Sequence, residues 1–213
     1  MKTHLLIPGL LAGLLSLTGC ATNGPYDYTN FRAHPPRSVL VLPPLNESTD
    51  VRGTYSCLST VTRPLAEMGY YVFPVAVVDE FMKENGLPTA GEMHQAPLNK
   101  IQDVFGADAV LYLTLKHYGS KYQVVSSTVT VSLEGKLVDV RTGTTLWEGS
   151  ANVQQSSSGG GGLADLIAAA VDQVINSSTD QAHNMTQQAN TQMLTTKDHG
   201  LLYGPYHPKG KEQ

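Results

Sequence analysis

The hydrophobic pattern of the chain changes once, and this change limits the folds that it can adopt. Up to residue 118, apolar residues form short continuous runs at 38–43, 70–74 and 108–118, separated by segments with helical spacing. Continuous runs are typical of strands that are buried on both faces of a parallel sheet. From residue 122 to 140, apolar and polar residues alternate, as in antiparallel strands with one face in water. The pattern therefore predicts an α/β domain with a mixed sheet.

The elements between and after these runs complete the predicted order β-α-β-α-α-β-β-β-α. Helical spacing and stop signals at glycine predict helices over 51–68, 75–84 and 96–105. Arg141-Thr142-Gly143 is a hairpin turn, and the strand over 144–153 returns from it. We therefore expect a three-layer domain in which parallel crossovers are followed by a long antiparallel hairpin, with helices on the flanks.

The chain after this hairpin predicts one long helix. Ser156–Gly162 is rich in serine and glycine and is expected to be a flexible break. The helix would extend from Leu163 to about Asn190, and its polar half, 176–193, is expected to extend from the domain and carry a binding surface. The apolar half could pack on its own sheet or form a dimer or partner interface. Its candidate interaction residues are Leu163, Leu166, Ile167, Ala170, Val171 and Val174.

The first twenty residues have the layout of a bacterial secretory signal. Lys2 supplies the positive start, a leucine-rich run follows, and no acidic residue occurs before Asp27. The run is too short and too interrupted to span a bilayer as a helix, which takes about 20 apolar residues. It ends in four residues that resemble the lipobox of bacterial lipoproteins: Leu17, Thr18, Gly19 and Cys20.

The lipobox resemblance implies how the protein is attached to a membrane. In that family, a diacylglycerol is attached to the cysteine thiol, here Cys20, the chain is cut before it, and the new amine is acylated. Two or more acyl chains give stable anchoring without a membrane-spanning segment. Residue 21 is alanine, whereas an aspartate there usually retains such lipoproteins at the inner membrane. The resemblance therefore implies an outer-membrane anchor, with the protein facing the periplasm or the surface.

These signals divide the chain into four parts. We predict a signal peptide over 1–19, a lipidated N-terminus and linker over 20–37, one α/β domain over 38–193 and a C-terminal tail over 194–213. The linker is unusually aromatic for a spacer, so part of it is expected to pack on the domain. The aromatic residues are Tyr26, Tyr28 and Phe31.

Composition excludes some classes of partner. The formal net charge is −4, and the chain has no basic cluster, which argues against nucleic acid and against attraction to anionic lipid. Cys57 has no cysteine to pair with once Cys20 carries lipid. It lies in a predicted helix beside apolar residues, so we expect it to be buried rather than reactive.

The sequence contains no specific catalytic or metal-binding pattern. The seven histidines lack zinc-hydrolase spacing, although His199 and His207 could bind a metal adventitiously. The serine- and glycine-rich stretch lacks the Gly-Lys-Ser/Thr ending of a phosphate loop. Adjacent Asp79 and Glu80 point to different helix faces and are read as a solvated face, and Trp147 is read as core rather than as a ligand platform. No enzyme activity, cofactor or metal is expected.

Three segments carry a resemblance to a group of envelope domains. They are Val39–Asn46 with its prolines, the Asp-Ala-Val-Leu strand at 108–111, and the hairpin at 137–147 with Thr-Gly followed by Leu-Trp. They resemble a Gram-negative group that includes the N-terminal domain of TolB, the curli secretion lipoprotein CsgG, and LpoB, which activates a peptidoglycan synthase. The resemblance implies a TolB N-terminal-like fold. The chain lacks the two amphipathic hairpins of CsgG, so no pore is implied.

The chain as a whole is similar to a neisserial-type lipoprotein family of unknown function that is encountered as a surface-antigen candidate. The similarity covers about residues 17–208, including the Tyr203–Pro208 segment, and the family has no established catalytic residues to carry over to this chain. We therefore expect a non-enzymatic outer-membrane lipoprotein, an accessory to envelope transport, secretion or assembly, which binds envelope proteins such as companion lipoproteins and forms a homodimer. The alternatives are a self-associating channel subunit and, less favoured, an envelope hydrolase.

Overall fold

The computed structural model describes residues 24–123, 126–158 and 178–211. In these residues the strands are β1 (Ser38–Val41), β2 (Leu45–Asn46), β3 (Tyr71–Val72), β4 (Ala109–Gln123), β5 (Ser126–Asp139) and β6 (Thr145–Ser158). The helices are α1 (Thr29–Ala33), α2 (Arg52–Glu67), α3 (Val75–Glu84), α4 (Ala90–Met93), α5 (Leu98–Phe105) and α6 (Ser178–Thr195), and a 3-10 turn covers Pro208–Lys211. None of the described helices is long and apolar enough to cross a membrane.

The described strands form one mixed sheet, which confirms the predicted fold class. The sheet follows the order β3-β1-β4-β5-β6, and β2 pairs separately with β4. β1 is parallel to β3 and β4, whereas β5 is antiparallel to both β4 and β6. The parallel part is formed by the continuous apolar runs and the antiparallel part by the alternating residues, because only the parallel part is covered on both faces.

Helices cover the sheet on both sides and produce two cores. On one side, α2 and α6 pack on the sheet over Leu111, Leu113, Leu133 and Trp147, all of which are fully buried. On the other side, residues of α3, α4 and α5 pack around Leu40, Leu42 and Val110. This second core reaches only the parallel half of the sheet. The outward face of the antiparallel half is therefore left to polar side chains.

The long hairpin differs from the prediction in where its strands end. β4 continues to Gln123, beyond the predicted end at Tyr118, and β5 begins at Ser126. The register is continuous from His117↔Ser132 to Gln123↔Ser126. The apolar pattern fades beyond Tyr118, but backbone hydrogen bonds extend the ladder without apolar side chains. Within β5 the predicted inward face is confirmed, since Val129, Val131, Leu133 and Leu137 are buried.

The polar half of the last helix packs on the domain, and the prediction that it extends from the domain is wrong. Small and flexible side chains at helical spacing form a narrow stripe, and the intervening glutamines face solvent. Alanine permits close approach and methionine fills irregular gaps, so a helix of low mean hydropathy still has one apolar face. The buried residues of this stripe are Ala182, Met185, Ala189, Met193 and Leu194.

Two further predictions concern the segments that precede this helix in the chain. The flexible break predicted to begin at Ser156 is wrong for Ser156–Ser158, because β6 includes these residues and pairs them with β5. Backbone pairing places them in a strand in spite of their composition. The predicted apolar half of the helix, and with it the candidate interaction residues from Leu163 to Val174, lies outside the described residues.

Both ends of the described chain pack on the domain. Tyr28 and Phe31 belong to the core on the α2 side, and the Tyr26 N–H donates to the Asp198 carbonyl over 3.0 Å. In the tail, Leu201 is buried, and the Gly204 N–H donates to the Met68 carbonyl over 2.8 Å. The N-terminal segment and the tail therefore meet beside β6.

Candidate functional site

The uncovered face of the antiparallel strands forms a polar groove. Along β5 and β6, side chains that alternate with the buried core residues point into it. The pocket that includes this groove has a volume of about 680 Å³ and extends past Gly135 and Gly149 to the end of α6, which packs on the other face of the sheet. Its lining side chains are Tyr112, Thr114, Glu134, Lys136, Glu148, Ser150, Met193, Thr196 and His199.

Ion pairs connect the charged groups of this face. Lys116 Nζ lies 2.9 Å from Glu47 Oε1 and 3.5 Å from Glu134 Oε2, and Lys136 Nζ lies 3.4 Å from Glu148 Oε1. The hydrogen bond to Glu47 raises the pKa of Lys116. These pairs are exposed, so each adds little to stability, and their alternating signs favour no strongly charged ligand. The alternation of Glu134 and Lys136 with the core leucines belongs to the polar face that was predicted for these strands, but periodicity did not predict the ion pairs or the groove on it.

One serine–histidine pair occurs among the described residues, between α2 and α6. Ser56 Oγ and His183 Nδ1 are 2.9 Å apart. A nucleophilic serine needs an accessible hydroxyl and a base oriented by a third group. Ser56 is only 7% exposed, and no acidic side chain is hydrogen-bonded to His183 in the described part of the chain. The pair therefore links two helices and does not support a hydrolase.

Cys57 is buried, as predicted, and its surroundings make it a poor nucleophile. Its side chain is inaccessible to solvent, and burial raises the pKa of its thiol to about 12. Sγ lies 4.0 Å from Asn190 Oδ1. Because the thiolate is the reactive form of cysteine, this thiol stays inert at neutral pH.

The remaining candidates from the sequence occupy structural positions. Trp147 is fully buried, as predicted, and its Nε1 donates to the His199 carbonyl over 2.9 Å. His207 stacks on Tyr203 with 4.0 Å between ring centroids. The described residues contain no group of three or more metal-ligating side chains.

The interpretation of Asp79 as part of a solvated face is wrong. Asp79 is only 8% exposed, and its Oδ2 accepts a hydrogen bond from Lys83 Nζ over 2.7 Å. This bond, with a second to Tyr55, raises the pKa of Lys83. The carboxylate is accommodated because the lysine one turn later neutralises it; Glu80 is exposed.

A second candidate surface lies at the opposite end of the sheet, where β3, α3 and α5 meet. Tyr71, Phe73, Phe105 and Phe81 form a row of edge-to-face rings with centroid separations of 5.1, 6.2 and 5.3 Å. The two end residues are exposed, Tyr71 by 53% and Phe81 by 38%, and Val77, one turn before Phe81, is 65% exposed. We call these five residues the aromatic patch.

The lipid-attachment residues Leu17, Thr18, Gly19 and Cys20 precede the described part of the chain, so their role stays a prediction.

Comparison with known proteins gives the family. The family model "Putative lipoprotein GNA1162-like" matches residues 26–206. The chain belongs to the GNA1162-like lipoprotein family. This confirms the resemblance to a neisserial-type lipoprotein family, and membership of it indicates a lipid-anchored protein of the cell envelope.

Individual relatives agree with this assignment. "Putative lipoprotein NMB1124/NMB1162" of Neisseria meningitidis serogroup B (strain ATCC BAA-335 / MC58) is 44% identical over 200 residues, covering 92% of this chain and 93% of the relative. The crystal structure of lipoprotein GNA1162 from Neisseria meningitidis is 48% identical, with a TM-score of 0.55, over 67% of this chain and all of that one. The LpoB C-terminal domain from Salmonella enterica is 23% identical, with a TM-score of 0.39, over 56% of this chain and 84% of that one, a likeness too weak to indicate function.

Proposed function

We propose that this protein is a non-enzymatic lipoprotein of the outer membrane that binds other envelope proteins, as an accessory to a transport, secretion or assembly system. The aromatic patch is the observation that carries the proposal. Exposed aromatic residues in a contiguous group are typical of protein–protein interfaces, where they combine large contact area with low conformational entropy cost. The family supplies the lipid anchor, and Ala21 after the lipidated cysteine supports the outer membrane.

The geometry of the aromatic patch supports a preformed binding surface. Phe73 and Phe105 are half-buried and pack on the second core, so they hold the exposed rings of Tyr71 and Phe81 in place. Residues fixed before binding lose less entropy when a partner docks. A partner that covered Val77 and Phe81 would gain about 25 cal/mol for each Å² of apolar surface removed from water.

Several described features support a role without catalysis. The Ser56 hydroxyl is buried, the pKa of the Cys57 thiol is raised to about 12, and the charged side chains of the polar groove already pair with one another. None of these groups is poised for nucleophilic or general-base chemistry.

The aromatic patch can be tested by crosslinking the full lipoprotein in native membranes. We expect Val77→Asp to abolish crosslinks to envelope proteins, because an unpaired charge would be buried in the interface. Glu80→Ala, on the solvent side of the same helix, is the matched control and should leave the crosslinks intact. Circular dichroism establishes that both variants fold. Unchanged crosslinking in Val77→Asp would exclude the aromatic patch as the binding surface.

A further inference from the structure

The two edges of the sheet differ in length. At one edge, β3 contributes only two residues, whereas β6 at the other edge contributes fourteen. On its inner side, β6 pairs with β5 from Val138↔Thr145 to Ser126↔Ser158. On its outer side, no strand in the described ranges pairs with it. Long unpaired edges are uncommon in natural proteins because they attract further strands.

The N-terminal segment covers only the beginning of this outer side. Asn30 Nδ2 donates to the Thr145 carbonyl over 3.3 Å, and the Glu148 N–H donates to the Tyr26 hydroxyl over 2.9 Å. In both contacts the N-terminal segment uses a side chain and not its backbone, so the contacts do not continue along β6 as a ladder of backbone hydrogen bonds. The outer side is therefore capped as far as Glu148.

Beyond Glu148 the outer backbone groups have no partner in the described part of the chain. The Glu148 N–H points outward, and the register with β5 is unbroken from Trp147 to Ser158. Because strand residues alternate between inward and outward hydrogen-bonding groups, the N–H and C=O groups of the same parity also point outward. They belong to Ser150, Asn152, Gln154 and Ser156, and no described residue hydrogen-bonds to them on that side. We call this segment, 150–156, the open edge.

The sequence of the open edge does not protect it from pairing. Residues 149–158 contain no charged residue and no proline, the devices that commonly block strand addition. The register irregularity in this pair lies at the far end, between Leu137 and Val138, so no bulge twists the open edge away from a neighbour.

We propose that the open edge binds an extended segment of an envelope partner protein, which adds to the sheet as a further β-strand. The proposal deepens the protein-binding role proposed above and rests on it. Backbone hydrogen bonds to the four outward residues would give affinity, and the side chains beside them would give specificity.

The two faces beside the open edge define the chemistry of the partner segment. Ala151 is buried and Val153 is half-buried against the core on the α6 side, whereas Ser150, Asn152 and Gln154 are exposed on the groove side. An added strand continues both faces. The partner segment should therefore alternate apolar residues with uncharged polar residues, a pattern that residues 128–133 of β5 already present to the inner side of β6.

A defined peptide tests the proposal on the full-length lipoprotein in detergent micelles. The probe is Thr-Val-Thr-Val-Ser-Leu, the sequence of residues 128–133. We expect the peptide to bind and to slow hydrogen exchange at the amides of Ser150, Asn152, Gln154 and Ser156. Asn152→Pro removes one outward N–H that has no hydrogen bond to the described residues, and should weaken binding at least tenfold, about 1.4 kcal/mol. Asn152→Ala retains this N–H and should bind within twofold of wild type.

A second probe keeps the test decisive if Asn152→Pro disturbs folding. Peptides N-methylated at alternate positions lack donors along one side only, so methylation of one set should abolish binding and methylation of the other set should not. Absence of binding, equal loss with both methylation sets, or equal loss in Asn152→Pro and Asn152→Ala would overturn the proposal. Slow exchange of the four amides without peptide would also overturn it, because a second copy or another part of the chain would then fill the edge.

Crosslinking separates failure of this proposal from failure of the proposed function. If the peptide does not bind while crosslinks to envelope proteins persist and depend on Val77, only the open-edge proposal is wrong. If crosslinks are also absent from wild-type protein, the protein-binding function fails with it.

Discussion

At the scale of single residues, a few buried polar groups join the helices that cover the sheet. Asn190 is fully buried on α6, and its Nδ2 donates to the Cys57 carbonyl over 3.2 Å and to Thr60 Oγ1 over 2.9 Å. Buried polar groups of this kind stabilise only when they are fully paired. They also fix the rotation and register of α6 against α2, which apolar contacts alone specify less sharply.

Removal of the Asn190 carboxamide should loosen this contact between helices. We expect Asn190→Ala to lower the free energy of unfolding by about 1–3 kcal/mol, because Thr60 and the Cys57 carbonyl lose a buried partner. Gln188→Ala, at an exposed position of the same helix, should change it by less than about 0.5 kcal/mol. Urea unfolding of both variants measures the difference, and equal effects would contradict the structural role of Asn190.

The Cys57 thiol should contribute to the loss of stability in alkali. Its pKa in the folded protein is raised to about 12 by burial, from an ordinary value of 9.0. The unfolded chain therefore loses this proton first, so the contribution is complete below pH 9 and is lost between about pH 9 and 12. We expect the urea midpoint to fall less between pH 8 and 10.5 in Cys57→Ala than in wild type. The same fall in both proteins would show that the folded thiol ionises normally.

At the scale of elements, the turn after α2 holds the C-terminal tail. Gly69 has a φ of +86°, and its carbonyl accepts the N–H of Tyr206 over 3.1 Å. A Cβ at Gly69 would lie 2.2 Å from the backbone nitrogen of His207. Both the backbone conformation and the close approach of the tail therefore require glycine here.

Alanine substitutions at Gly69 and Gly86 separate the effect of backbone strain from the effect of the close approach of the tail, because the two glycines have nearly the same φ. Gly86 has a φ of +87°, but a Cβ there would meet nothing within 4 Å. Gly86→Ala should cost only the conformational strain, about 1–2 kcal/mol. Gly69→Ala should cost more in thermal unfolding and should also make residues 201–211 sensitive to limited proteolysis, because the tail must move. Equal costs, or a tail that stays protected, would argue against this docking.

At the scale of the whole molecule, the packing of both ends limits how far the domain can lie from the predicted lipid on Cys20. The Tyr28 hydroxyl donates to the Gly200 carbonyl, and the Tyr26 N–H to the Asp198 carbonyl, so the packed domain begins at Tyr26. A chain spans at most about 3.6 Å per residue, so Tyr26 can lie no further than about 22 Å from a lipid on Cys20. The homodimer stays a prediction, which light scattering of the detergent-solubilised protein across concentration can test.

The anchor itself gives the simplest test at this scale. We expect Cys20→Ser to release the protein from the membrane fraction, because no acyl chain can be attached at that position. Cys57→Ser is the control, and should stay at the membrane because its side chain lies in the core. Cell fractionation measures both, and a membrane-bound Cys20→Ser protein would require a different anchor.

Periodicity and composition predicted the mixed sheet, most of its helices, the inward face of β5, and the burial of Cys57 and Trp147. These are local properties, since a side chain's alternation or spacing decides which face it takes. Periodicity and composition did not predict the polar groove or the aromatic patch. Both surfaces depend on contacts between residues that are distant in the chain. Examples are the ion pair of Lys116 with Glu47 and the edge-to-face contact of Phe81 with Phe105.

The sequence by itself therefore determined the family, the class of fold and which strands are buried, because apolar periodicity follows from burial. Only the tertiary structure decided that α6, which corresponds to the polar half of the predicted helix, packs on the core, where Asn190 hydrogen-bonds to residues of α2. Only the tertiary structure placed β6 at an edge of the sheet that the described strands form, because strand order depends on how the whole chain crosses the sheet. The residues next to a position in the chain do not specify which residues contact it across the sheet or between helices. The candidate binding surfaces are formed by such contacts between residues that are distant in the sequence.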